Sequence, residues 1–157
     1  MNTEKNTAPA PVVNTLAGVL AIFNTPVNCR FTLDGQPVEL KVTRALPGVM
    51  EQRRNLLRSV QPPFVKERND YDRLNVDYMR RADAATLQAR AITVYQCCPE
   101  VAALKPGLMD PAQILAALAA VLPEMIMELI ELTAIAGGLD MEVTRRANFI
   151  SPPPSES

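Results

Sequence analysis

Histidine and tryptophan are both absent from this chain of 157 residues. Histidine is the usual proton shuttle near neutral pH and the commonest metal ligand. Its absence excludes Ser-His-Asp and Cys-His nucleophilic sites and histidine-ligated metals. Cysteine is scarce: there are three, an odd number, so no disulfide framework is expected. Cys97 and Cys98 are adjacent, and bridging neighbours strains the peptide between them. No CxxC pair exists to hold a metal, so all three are expected as reduced thiols. Glycine is also scarce, and no glycine-rich phosphate loop is present. Sixteen basic and seventeen acidic residues nearly cancel. That leaves no surplus of positive charge to displace counterions from nucleic acid. Arg53, Arg54, Arg58, Arg80 and Arg81 read as solvated helix faces, because acidic residues are interleaved with them.

Long uninterrupted apolar runs are lacking too. Residues 16–23 are apolar but too few to span a bilayer. The stretch before them balances one Lys with one Glu, and Asn24-Thr25-Pro26 follows where a signal peptide would have small residues. Residues 112–138 are longer, but Pro123, Glu124, Glu128 and Glu131 sit among them, and three carboxylates are costly in lipid. No membrane span is expected.

What the chain does have is apolar helix. Residues 112–122 and 125–138 are almost free of charge. Residues 1–15 and 151–157 are rich in Pro, Ser, Thr and Asn and cannot bury enough apolar surface to offset ordering. Both are expected to be disordered. Residues 16–150 then form a single, mainly α domain: a short β-hairpin at 27–43 followed by a small helical bundle.

The hairpin has the clearest signature. Asp34-Gly35 is a strong two-residue turn. Val27, Cys29, Phe31 and Leu33 alternate with polar residues before it, and Val38, Leu40 and Val42 do so after it. A two-residue turn pairs Phe31 with Val38, Cys29 with Leu40 and Val27 with Val42, so one face is apolar. The opposite face then sets Arg30 across from Glu39. A one-residue slip would break all of these matches. Pro37 lacks an amide donor, so its strand should be an edge, or the hairpin should stand alone.

After Leu46-Pro47-Gly48 a helix is expected over 49–60, stopped by Gln61-Pro62-Pro63. A long helix is expected from Phe64 or Val65 to Cys97, with Tyr71, Leu74, Tyr78, Ala82, Ala85, Ala89, Ile92 and Tyr95 at helical spacing. Its length makes a break near Asn69-Asp70 or Asp83 reasonable. The charged first half should be exposed and the part from Thr86 onward buried. Pro99 ends it, and Pro106-Gly107 marks a loop. Asp110-Pro111 starts a helix that runs to Leu122. A last helix covers 123–136 and closes at Gly137-Gly138, with Leu139 making the apolar contact usual after a glycine cap. Residues 140–150 add at most one more helical turn.

Candidate sites are few. Glu124, Glu128 and Glu131 form a stripe that reads as the last helix's one solvated face rather than an acid–base pair or metal site. Asp70, Asp72 and Asp77 lack the glycine and terminal Glu of a calcium loop. No catalytic residue, metal ligand or cofactor site is assigned. Met109, Met125, Met127 and Met141 gather in the C-terminal third, where methionine suits adaptable apolar surfaces. The two C-terminal helices carry more apolar surface than a small body easily hides, which suggests a partner or self-association. Leu115, Leu118, Leu122, Met125, Ile126, Leu129 and Ile130 are the candidate partner-binding residues. Some of them must instead form the protein's own core.

The order of parts resembles a known family. A hairpin over 27–42 leads through Leu46-Pro47-Gly48 into a helix bearing Glu51-Gln-Arg-Arg-Asn-Leu56. A helix ending Ala91-Ile-Thr-Val-Tyr-Gln-Cys-Cys-Pro99 follows. Last come Leu122-Pro-Glu124 and an apolar helix ending Ala136-Gly-Gly-Leu139, with Ala136-Gly137 where Ser-Gly is more usual. This layout, over about residues 27–149, is similar to that of the small tail assembly chaperones of long-tailed bacteriophages. The resemblance implies a non-enzymatic protein of the host cytoplasm. It would coat the helical, aggregation-prone tape measure protein before the tail tube polymerises. It also implies a possible longer form made by ribosomal frameshifting. An apolar groove that accepts helices would supply the mechanism. The alternative is a small structural or adaptor protein that homo-oligomerises through its C-terminal helices.

Overall fold

Turn chemistry decides the hairpin. Asp34 and Gly35 both have positive φ, 50° and 75°, the pair of left-handed residues that a tight hairpin turn demands. In the computed structural model, which describes residue 12 and residues 15–137, strands β1 (Val27–Leu33) and β2 (Gln36–Val42) pair antiparallel around that turn. Phe31 pairs with Val38, Cys29 with Leu40, Val27 with Val42 and Arg30 with Glu39, the register that the alternation predicts. The Arg30 Nε donates to Glu39 at 2.8 Å on the exposed face. The sheet has two strands only, so Pro37 interrupts no ladder with a third.

The architecture is mainly helical with this hairpin near its N-terminal end. A helix that the sequence reading did not assign, α1 (Leu16–Asn24), precedes the hairpin, capped by the Thr15 hydroxyl, which accepts from Gly18 N at 3.1 Å. The helix after the hairpin is α2 (Pro47–Arg58). It starts two residues earlier than expected because Pro47 opens it, proline being well suited to a first helical position.

The expected helix from Phe64 is not continuous. A two-residue hairpin, β3 (Phe64–Val65) and β4 (Asp70–Tyr71), occupies its start. Asn69 turns left-handed at φ 50°, a conformation that asparagine tolerates, and Phe64 and Tyr71 pack edge to face at 5.2 Å. Residues 64–75 hold no helix, so the expected start at Phe64 or Val65 is wrong, and the helix is continuous through Asp83. Helix α3 (Val76–Cys97) begins behind the Asn75 cap, whose side chain accepts from Tyr78 N. Its first turns are mostly exposed. Ala89, Ala91, Ile92, Thr93, Val94 and Cys97 are buried, the division that charge density predicts.

A single turn, α4 (Pro99–Ala102), follows. Then come α5 (Pro111–Ala119) and α6 (Glu124–Ala136). Helix α5 stops three residues short of the expected Leu122, whose amide still reaches Leu118 O at 2.8 Å. Pro123 sits just before α6 rather than within it, and Gly137 closes α6 in the left-handed conformation. The two tails, Gly138, the Leu139 contact and the turn at 140–150 lie outside the described residues.

The core forms where α3, α5, α6 and the apolar face of the hairpin meet. Cys29 and Val42 from the strands pack with Val94, Ile114, Leu118 and Ile130. The chain beyond β2 is tied to two helix ends. Thr43 N donates to Cys97 O at 2.7 Å, and Ala45 N donates to Ala134 O at 2.9 Å. These bonds satisfy carbonyls that the last turns of α3 and α6 would otherwise leave open.

Ile130 is fully buried, whereas Met125 on the same helix is 73% exposed. Ile130→Ala should lower unfolding stability by about 2–5 kcal/mol. Met125→Ala should change it by less than about 0.5 kcal/mol. Urea denaturation of the two variants makes the comparison.

Candidate functional site

The charged residues of the helices do not all face water. Arg53 on α2 has only 16% of its side chain exposed, and Glu131 on α6 only 12%. The Arg53 guanidinium donates to Glu131 Oε2 at 2.6 Å, to Thr93 Oγ1 at 2.6 Å and to Ala89 O at 3.0 Å. Arg90 on α3 donates to the other Glu131 oxygen and to Glu124, each at 3.3 Å. Glu131 is thus the shared anion of two arginines from two different helices. This corrects two expectations. Arg53 is not on a solvated face, and of the stripe Glu124, Glu128 and Glu131 the first two are exposed as expected while Glu131 turns inward. Only Glu128 is exposed with no ion pair among the described residues.

The seven candidate partner-binding residues separate cleanly. Leu118 and Ile130 are buried in the core. Leu115, Leu122, Ile126 and Leu129 are half-buried and pack against it. Met125 is the exposed member. Of the methionines, Met127 is in the core, Met109 is 90% exposed, and Met141 lies outside the described residues.

The surface does carry a concave apolar site, in a different place. A groove of about 610 Å³ runs between α2, α3 and the start of α5. Leu56, Ile92, Leu108, Met109 and Ile114 supply its apolar lining. Gln52, Asn55 and Gln96 supply amides, and no charged residue lines it. Its walls are tied together by specific bonds. Gln96 Nε2 donates to Gln52 Oε1 at 2.7 Å, joining α3 to α2. The Tyr95 hydroxyl donates to Lys105 O at 2.8 Å and accepts from Leu108 N at 3.0 Å. That pair fixes the loop that carries Leu108 and Met109. The sequence reading named Met109 for its residue type but missed the rest of the lining. Leu56 and Ile92 are periodic apolar residues and look like ordinary core in sequence.

A second apolar site lies at the other end of α6. A pocket of about 280 Å³ is lined by Val19, Ile22 and Phe23 of α1 and by Ala134 and Ile135 of α6. Arg44 spans it. Its guanidinium donates to Gly137 O, to Ile22 O, to Thr25 O at 2.6 Å and to Phe23 O at 3.4 Å. One cation therefore serves the carbonyl ends of two helices, where the helix dipole is negative.

The thiols are inert structural parts. All three cysteines are free and buried. Burial pushes Cys97 and Cys98 above the ordinary thiol range. Among the described residues there is no group of three metal-ligating side chains, and no helix long and apolar enough to cross a membrane. No family model matches the chain, and no curated protein or solved structure matches it.

Glu131→Ala would leave Arg53 and Arg90 buried without their anion. It should destabilise the fold by about 3–5 kcal/mol, whereas Glu128→Ala should stay within about 0.5 kcal/mol. Thermal or denaturant melts of the two variants check this. The raised thiols add a pH dependence. In the unfolded chain the thiols ionise near about pH 8.5, while the folded chain keeps them protonated to higher pH. The unfolded state then binds fewer protons, so stability should be flat below about pH 8 and fall as pH rises above that. Denaturant midpoints measured from pH 7 to 10, against a Cys97→Ala variant with a weaker slope, test the sign.

Proposed function

We propose that the protein is a non-enzymatic chaperone that shields amphipathic helices of a partner during assembly. The partner suggested by the layout is the tape measure protein of a long-tailed phage, met in the host cytoplasm. The groove between α2, α3 and α5 carries this reading. It is concave, apolar along its floor and free of charge, with amides at hand for polar atoms of a visiting helix. Helix-in-groove recognition needs these properties, since apolar side chains provide the affinity and a charged lining would have to be desolvated. Exposed Met109 at the rim adapts to successive helices of varied sequence, as a chaperone of a long client requires.

This reading moves the capture site away from most of the seven residues that the sequence favoured. It keeps α5, through Pro111 and Ile114, as one wall. A longer frameshifted form of the chain would carry the same groove.

Co-expression with the tape measure protein of a long-tailed phage whose genome encodes this chain is the direct test. The client should remain in the soluble fraction with the wild-type chain and be recovered with it. Met109→Asp puts a charge on the rim at a position that bears no packing load. It should weaken capture by about tenfold or more and leave the melting temperature unchanged. Met125→Asp on α6 serves as the matched surface control. A client equally soluble with and without the chain would defeat the proposal.

A further inference from the structure

The pocket between α1 and α6 lies where the chain leaves α6. Its lining runs from Val19, Ile22 and Phe23 across Arg44 to Ile135 and Gly137. At about 280 Å³ it falls below the ~300–1,000 Å³ of sites that enclose small molecules, and it suits side chains better. Gly137 sets where the following segment starts. It is left-handed, at φ 58°, and a Cβ there would stand 3.1 Å from Arg44 Cδ. Glycine is therefore needed both for the turn and for the close approach of Arg44. The Gly137 carbonyl accepts from Arg44 Nε. The next amide nitrogen is bonded to that carbonyl carbon, so the segment after α6 starts at the rim of the pocket.

Arg44 gives a second, independent observation. It is half-buried, and its guanidinium donates only to carbonyls, those of Gly137, Ile22, Phe23 and Thr25. Among the described residues no carboxylate pairs with it. The other two inward arginines, Arg53 and Arg90, both meet Glu131. A cation withdrawn from water is normally matched by an anion as well as by dipoles.

The sequence after Gly137 holds what this pocket calls for. Gly138-Leu139-Asp140-Met141-Glu142-Val143 alternates apolar and acidic residues. Leu139, Met141 and Val143 match the apolar walls, and Asp140 and Glu142 carry the charge opposite to Arg44. Reach agrees as well. Three residues extend at most about 11 Å, so Leu139 and Asp140 stay close to the pocket that Gly137 lines.

We propose that residues 139–143 of the same chain dock in this pocket, with Leu139 and Met141 against Val19, Ile22 and Phe23, and with Asp140 paired to Arg44. The segment acts as a strap that holds α1 onto the end of α6. The proposal is independent of the groove between α2, α3 and α5.

Through-space NMR contacts in the full chain test it. Methyl groups of Leu139 or Met141 should show contacts with the Phe23 ring or with the methyls of Val19 and Ile22. A mixture of isotope-labelled and unlabelled chains tells one copy from two. Contacts between differently labelled chains overturn the proposal, because they put a second copy in the pocket. Contacts from Val12 or Val13 in place of Leu139 and Met141 overturn it too, as does the absence of any contact between residues 138–143 and α1. Hydrogen exchange reads the strength of the strap. The double variant Leu139→Asp, Met141→Asp should speed exchange of the α1 amides by about tenfold or more while those of α3 keep their rates. Asp140→Asn should shift the Arg44 Nε–H resonance, and Glu67→Gln, at an exposed acid elsewhere, should leave it in place. Exchange in α1 that the double variant does not change overturns the strap, and an Arg44 resonance blind to Asp140→Asn overturns the ion pair.

Discussion

The fold depends on one buried carboxylate. Glu131 is the point at which α2, α3 and α6 are joined, since Arg53 comes from the first, Arg90 from the second and the anion from the third. Two partly buried guanidinium groups against one buried carboxylate would be costly alone. The cost is offset because the same Arg53 nitrogen that bonds Glu131 also lies within bonding distance of the Thr93 hydroxyl and the Ala89 carbonyl, while the exposed Glu124 accepts from Arg90. Such a cluster contributes less net stability than an apolar core of equal volume, but it is exacting about geometry, and removing one member leaves the others uncompensated. Its effect on the groove is direct. Arg53 lies one residue from Gln52 and two from Asn55 on α2, and Thr93 lies one residue from Ile92 on α3. The bonds that fix the angle between these helices also fix the separation of the groove walls.

A second constraint acts at the helix ends. The chain leaving β2 donates from Thr43 to α3 and from Ala45 to α6. Between them Arg44 reaches the carbonyl ends of α6 and α1. Three consecutive residues thus close the ends of three helices. The hairpin is anchored by this exit segment and by the burial of Cys29 and Val42. Helix α1 has only Arg44 and one side of a small pocket. Elements held by few buried contacts are the ones that open first, so α1 should open before the hairpin does.

The hairpin was fully legible in the sequence because three independent signals, turn type, alternation and cross-strand charge, are all local. The helix ends at Pro111 and Gly137 are legible for the same reason, whereas the start behind Asn75 is not, because apolar residues continue at helical spacing on its N-terminal side. The polar cluster was not legible. Arg53 and Glu131 are separated by 78 residues, and each sits among charged neighbours at helical spacing, the pattern of a wet face. Nothing local distinguishes the one carboxylate of a stripe that turns inward. The division of the C-terminal apolar residues was hidden similarly. Ile130 and Met125 are both apolar members of one helix, and only the approach of α3 decides which is enclosed. Helix α1 was passed over because its eight-residue apolar run was read for signal and membrane roles, which it does not fit, while its Thr15 cap was not weighed.

The division has a physical consequence for function. A protein that binds apolar helices must keep apolar surface exposed without collapsing on it. Here exposed apolar surface lies in separate parts, on α1 and around the groove. Helix α1 is fixed to the C-terminal end of α6 by Arg44, and the groove's walls are tied by Gln52–Gln96 and by Tyr95. These bonds order the side chains and the loop that line the groove. A helix entering it gains apolar burial against walls that these bonds already order, and pre-ordered walls lower the cost of binding.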